Sequence, residues 1–190
     1  NLFPLHPGTA NLATYYATVV GSSSRSVFEF LGQNDAITQF LDNQDYFLNR
    51  RTTTADYLWD YVLKVFQEDV ANFGAVTERY NSYKLQVSNE GEAYIAIFKG
   101  ILLLNAFNNV SGENNNDLVT PSESNIHNLF AGTQYDDEVN NVLQWFNEQG
   151  IIQRAPGGLY SVQFSALPSG EIEEKMKEMR QVEFRYTSQI

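Results

Sequence analysis

Asp136-Asp137-Glu138-Val139-Asn140-Asn141-Val142-Leu143-Gln144-Trp145-Phe146-Asn147-Glu148-Gln149-Gly150-Ile151-Ile152-Gln153-Arg154-Ala155-Pro156-Gly157-Gly158-Leu159-Tyr160-Ser161-Val162-Gln163-Phe164 is the stretch that decides the fold. Its first half sets Val139, Val142, Leu143 and Phe146 at steps of three and four, one apolar face of a helix. Asp136 and Asp137 stand where carboxylates cap a helix start and complement its dipole, and Gly150 ends it. Ile151-Ile152-Gln153-Arg154 and Leu159 to Phe164 then alternate as strands do, around Ala155-Pro156-Gly157-Gly158, which is hairpin-turn chemistry. A helix that stops at glycine and passes at once into a hairpin is the closing half of a winged helix.

Working backward, Pro121 suits the first turn of a short helix over Ser122 to Phe130, stopped by Gly132. Ser111-Gly112-Glu113-Asn114-Asn115-Asn116-Asp117 is loop chemistry. Ala93 to Phe107 is apolar nearly all round, as a helix buried in a core is. Helix, helix, helix and hairpin complete a module expected over 89–167. Before it, His6-Pro7-Gly8-Thr9 reads as a turn, with Thr9 or Gly8 near the cap of a helix running to about Val20. Ser22-Ser23-Ser24 caps a second helix carrying Val27, Phe28, Phe30 and Leu31, and Asp35 to Leu41 is a short third. Thr52-Thr53-Thr54 caps the clearest helix, whose stripe is Leu58, Tyr61, Val62, Val65, Phe66 and Phe73, with a break expected at Gly74. A further helix is expected over Val76 to about Val87. Glu171 to Tyr186 mixes charges at helical spacing and reads as a solvated terminal helix. The expected fold is therefore mainly α: a helical region over 1–88, the winged-helix-like module over 89–167, and a terminal helix and tail over 168–190.

Composition narrows the function. There are 12 Lys+Arg against 23 Asp+Glu, a net charge of −11, and a chain so acidic is repelled by phosphate backbones. Cysteine is absent, which excludes disulfides, thiolate chemistry and cysteine-based zinc sites. No apolar run approaches the roughly 20 residues that span a bilayer, and Asn1-Leu2-Phe3-Pro4 lacks the layout of a signal peptide. The expectation is a cytoplasmic segment of a longer protein, with no membrane partner. Asn109-Val110-Ser111 fits a glycosylation acceptor, a match common by chance.

Catalytic signatures are missing from the residues. His6 and His127 have no helical partner at ligand spacing, so both read as structural, His127 packing among Ile126, Leu129 and Phe130. Ser22-Ser23-Ser24 lies in no Gly-x-Ser-x-Gly elbow, and Asp136-Asp137 is a cap before it is a catalytic pair. No Gly-Lys dipeptide and no Gly-x-Gly-x-x-Gly occurs, so no Walker A loop lies in this chain. An intrinsic enzyme, a metal site and a cofactor site are not expected in it. Free DNA is also a poor partner. Between Glu90 and Leu167 there are nine acids against Lys99 and Arg154, and Asp136 to Gln149 holds four acids and no base, where DNA readers place cations and amides. Arg25, between Ser24 and Ser26 at a helix start, reads first as a surface residue, although an arginine in a lid beside a nucleotide site reaches phosphates.

The ordered landmarks resemble a segment of large bacterial P-loop ATPases of the AAA or STAND type, several of them in phage-defence or restriction-like loci. Leu2-Phe3-Pro4-Leu5-His6-Pro7 with Thr9 is similar to their P-L-H-P-x-T segment, and Ser23-Ser24-Arg25-Ser26-Val27-Phe28-Glu29-Phe30-Leu31 to their N-E-R-S-L-F-S-F-L motif. Thr54-Ala55-Asp56-Tyr57-Leu58-Trp59-Asp60-Tyr61 resembles T-x-D-x-L-Y-D-Y-F, and Phe98-Lys99-Gly100-Ile101-Leu102-Leu103-Leu104 resembles the K-x-I-x-L-L helix that opens a winged helix. Ser24 departs from the acidic residue that precedes the family arginine. The resemblance implies that 1–88 is lid-like, that Arg25 is a candidate nucleotide contact, and that ATP and Mg belong to an upstream P-loop domain. The implied role is to couple nucleotide state to a protein partner or a second copy. The alternative is a stand-alone winged-helix adaptor or regulator that binds protein, and less readily DNA.

Overall fold

A computed structural model of the chain describes residues 4–20, 30–32, 35–43, 49, 51–111 and 116–164. It is mainly helical with one small antiparallel hairpin. The helices are α1 (Pro7–Tyr15), α2 (Asp35–Asp42), α3 (Ala55–Glu68), α4 (Val70–Glu90), α5 (Glu92–Val110), α6 (Glu123–Phe130) and α7 (Val139–Glu148), and the strands are β1 (Ile152–Arg154) and β2 (Tyr160–Val162). The expected terminal helix over 168–190, and the expected start, capped by Ser22-Ser23-Ser24, of a helix carrying Arg25, lie outside the described residues.

Helix α5 is the axis of the molecule. Twelve of its residues are buried, among them Phe98, Ile101, Leu103 and Phe107, and each such side chain withdrawn from water stabilises by about 1.5–3 kcal/mol. By length and composition alone α5 is apolar enough to cross a membrane, longer than the Ala93 to Phe107 run suggests, but it is mostly buried within the protein. On one side it packs against α3 and α4; on the other it meets α6, α7 and β2. Leu12, Trp59, Phe66 and Phe73 from the first part of the chain and Phe130, Phe146, Ile151 and Val162 from the last belong to one core cluster. Packed apolar side chains thus run without a gap past residue 88.

The break in the long amphipathic stretch falls at Asp69 rather than at Gly74. Asp69 leaves helical geometry at φ −94° and ψ 69°, and its carboxylate accepts from the Asn72 backbone N–H (3.3 Å) and side-chain amide (2.8 Å). A carboxylate that satisfies free N–H groups makes a better helix start than glycine makes a stop, so α4 begins at Val70 and runs through Gly74. The turn also brings Phe66 and Phe73 face to face, ring centroids 4.0 Å apart. At the other end of the region, α1 begins two to three residues earlier than expected. His6 is its cap: Nδ1 accepts from the Gly8 N–H at 3.1 Å, Pro7 occupies the first helical position, and Thr9 is buried inside the first turn. Beyond Tyr15 the helix widens into π geometry over Tyr16–Val20, where the Thr18 hydroxyl donates back to the carbonyls of Thr14 and Tyr15.

The module after residue 89 has the expected order of three helices and a hairpin. Ser122 caps α6 through the Asn125 N–H at 3.2 Å. A 3₁₀ turn, Asp136–Glu138, leads into α7, and Asp136 accepts from the Gly132 N–H at 2.6 Å, so it fastens the turn rather than capping the helix as the sequence suggests. Gly150, at φ 68°, supplies the left-handed residue that lets the chain reverse from α7 into Ile151. In the hairpin Ile152 pairs with Val162 and Arg154 with Tyr160, and Tyr160 also donates to the Pro121 carbonyl at 2.7 Å, drawing the start of α6 to the hairpin.

Candidate functional site

α7 and the hairpin together build one exposed surface. The buried face of α7 is Val139, Val142, Leu143 and Phe146. Helical spacing then forces Asn140, Asn141, Gln144, Asn147 and Glu148 outward, and all five are exposed, as are Asp137 and Glu138 at the helix start. Gln144 donates to Glu148 at 2.7 Å, holding that carboxylate along the helix.

A groove of about 380 Å³ runs between α7 and the hairpin, with Asn140, Gln144 and Asn147 on one wall and Arg154 and Tyr160 on the other. Arg154 lies 3.1 Å from the Glu123 carboxylate at the start of α6, and its guanidinium stands over the Tyr160 ring at 5.6 Å. The Tyr160 hydroxyl points at the same carboxylate, 3.5 Å away, and burial first, then the charge of Glu123, pushes this phenol above its usual range. Among the described residues, the base on this face, Arg154, is therefore already paired, and α7 offers amides flanked by acids.

A second cluster sits where α3, α5 and the 131–138 turn meet. A pocket of about 190 Å³ is lined by Arg51, Asp56, Tyr57, Glu92, Gln134 and Tyr135, among others. Thr54 stands at the cap position of α3 without capping it, because its hydroxyl donates instead to the Asp56 carboxylate. Burial raises the Asp56 carboxyl above its ordinary value, against the opposing effect of the Thr54 bond and the charge of Lys99. Tyr135 is pushed up to about 12, by burial first and then by Asp56. Arg51 reaches Glu92 at 3.5 Å across the mouth. A third, larger cleft of about 490 Å³ between α1 and α6 is lined by Asn11, Thr14, Tyr15 and Asn128 among others, with no charged side chain among the described residues.

Of the residues singled out in the sequence, Arg25 lies outside the described residues. His6 Nε2 bonds the Ala131 carbonyl at 3.0 Å, and His127 is half-buried in the last turn of α6. Among the described residues no three His, Asp or Glu side chains gather as metal ligands would. The landmark residues that carry the resemblance take fastening positions. Lys99 pairs with Asp60 at 2.8 Å, joining α5 to α3, and Thr53 and Leu5 form a parallel bridge. Pattern reading had no means of finding Glu123 or Tyr160, since both meet Arg154 only through the fold. Asp56 was visible only as one letter of a motif. No family model matches this chain, and no curated protein or solved structure is similar to it.

Proposed function

We propose that this chain is a non-catalytic coupling module of a larger cytoplasmic P-loop ATPase, carrying the nucleotide state of an upstream domain to a protein partner held by the winged helix. The observation that carries the reading is the continuous core around α5. A displacement imposed on α1 or α3 is transmitted to α7 and the hairpin through close-packed side chains, and close packing transmits strain instead of absorbing it. His6, in the segment that resembles P-L-H-P-x-T, bonds the carbonyl of Ala131 beside the winged helix and adds a direct polar link. The acid-flanked α7 face supports a protein partner over nucleic acid.

The test has two arms. Calorimetry of the chain with Mg-ATP is expected to show no saturable micromolar binding, because no backbone cradle for a β-phosphate is encoded in it. In the parent protein, spin labels on cysteines placed at Asn108 and Asn140, unique within this cysteine-free chain, are expected to keep their separation when nucleotide is added. Labels between Asn140 and the P-loop domain are expected to change theirs. Micromolar ATP binding by the chain alone, or an invariant distance to the P-loop domain, refutes the reading. The adaptor reading is favoured by the same acidic face, and duplex DNA in gel shifts separates its two forms. Binding at nanomolar protein that survives added salt overturns the charge argument. The expected affinity is no better than the non-specific level of roughly 10⁻⁴ M.

A further inference from the structure

We propose that the exposed face of α7, with the groove beside the hairpin, docks an extended protein segment bearing Lys or Arg. This deepens the coupling-module reading by naming the chemistry of its partner. Asp137, Asn141, Gln144 and Glu148 follow one another at steps of three and four, so a single stripe begins and ends in a carboxylate with amides between. The two acids lie roughly 16 Å apart along the axis at 1.5 Å per residue. An extended chain covers that distance in about five residues, which sets the spacing of two cations on the partner.

The amides suit the segment between those cations, because Asn and Gln each offer a donor and an acceptor to an extended backbone. α7 itself supplies no base to neutralise the stripe. Arg154, on the opposite wall, is held by Glu123 and by the Tyr160 ring. That seat shows how the groove accommodates a guanidinium, between a carboxylate and an aromatic face. Leu143 and Tyr160 also line the groove and give the aliphatic stem of a Lys or Arg an apolar surface to lie on. A phosphate backbone meets the opposite charge relation and is repelled.

The test uses the whole chain and a short synthetic peptide with Arg-Lys pairs about five residues apart, titrated by calorimetry at low and at physiological salt. One-to-one saturable binding is expected. Joint substitution Asp137→Lys, Glu138→Lys and Glu148→Lys is expected to weaken it about tenfold or more. Glu68→Lys, Glu78→Lys and Glu90→Lys, the same charge change on exposed positions of α3 and α4, is expected to leave most of it intact. Circular dichroism of both variants checks that each is folded. Equal weakening by the two triples overturns the proposal, since attraction to net charge alone then explains binding. So does the absence of binding, a duplex DNA that competes for the same face, or a dimer of this chain that the α7 triple dissociates. The assay contains no nucleotide and no P-loop domain, so its failure is distinct from failure of the coupling reading.

Discussion

Gly100→Ala is expected to destabilise this protein, although the same change in an ordinary helix interior stabilises by about 0.5–1 kcal/mol. A Cβ at Gly100 would lie 3.0 Å from Phe130 Cζ, 3.1 Å from Cε2 and 3.5 Å from Leu129 Cδ1. Phe130 is fully buried, so its ring has no solvent to move into. Overpacking of this kind costs about 1–3 kcal/mol, leaving a net loss of about 1 kcal/mol. Gly74 provides the control. Its added Cβ would meet Val70 Cγ1 at 2.9 Å, a closer approach, yet Val70 is 68% exposed and opens α4. With no preceding turn of its own helix to restrict it, Val70 rotates away, and Gly74→Ala is expected to stabilise by about 0.5 kcal/mol. Urea unfolding followed by far-UV circular dichroism measures both. Midpoints should move in opposite directions at unchanged slope. Adding Phe130→Leu should shrink the Gly100→Ala penalty, because the two substitutions share one contact. A Gly100→Ala protein as stable as the wild type refutes the packing argument.

Asn105→Ala is expected to cost about 1–3 kcal/mol, since it removes the amide that donates to the carbonyls of Ile101 (2.9 Å) and Tyr160 (3.2 Å) in a buried position; chemical denaturation reads this. Asp56 titrates above its ordinary 3.8 in the folded state because burial disfavours its charge. The folded protein thus holds this proton more tightly than the unfolded chain, and the stability so gained is present below 3.8 and lost as pH rises through the folded value. Asp56→Asn, which keeps an acceptor for Thr54, is expected to be at least as stable as the wild type at neutral pH and to lose less stability across that window, as urea midpoints against pH would show. On the proposed coupling role in a larger P-loop ATPase, Arg25→Ala is expected to lower that protein's turnover, by as much as about 10³-fold if Arg25 meets the γ-phosphate. Arg25→Lys should rescue it only in part, because an ammonium lacks the planar fork. Unchanged turnover in both variants returns Arg25 to the surface.

How much of this was legible depended on whether a signal is local. The hairpin and its helix were written in adjacent residues: Gly150 for the reversal, Ala155-Pro156-Gly157-Gly158 for the turn, and Val139, Val142, Leu143 and Phe146 for the buried face. The boundary between α3 and α4 was misplaced because glycine is read as a breaker, whereas the cap of Asp69 on Asn72 supplies free energy that glycine does not. The sequence reads His6 as a structural residue in a turn, but its bond to Ala131 spans 125 positions, beyond any periodic signal. The candidate face was half legible. Its acids and amides could be counted, but the pairing of Arg154 with Glu123, which leaves the stripe without a partner base among the described residues, required the start of α6 to lie against the hairpin.

The polar links across residue 88 bear on what kind of coupling is possible. Lys99 with Asp60 and His6 with Ala131 each tie elements that the apolar core already presses together. The side chains of Lys99 and Asp60 are 13% and 46% exposed, so that pair contributes on the order of 1 kcal/mol or less, small beside a core of buried aromatic and aliphatic side chains. The hydrophobic effect is non-directional, so the core carries a displacement from one element to the next while tolerating small changes in the angle between them. Hydrogen bonds and ion pairs are not tolerant in that way, because their strength falls steeply with distance and angle. The core therefore supplies cohesion, and the links fix the angle at which α7 and the hairpin stand relative to α1 and α3. On this division of labour, Lys99→Met leaves melting nearly unchanged while loosening that angle. Widening of the distance distribution between labels at the exposed positions Gln67 on α3 and Asn140 on α7, at constant melting temperature, is the signature expected. A distribution as narrow as that of the wild type would assign orientation, as well as stability, to the core.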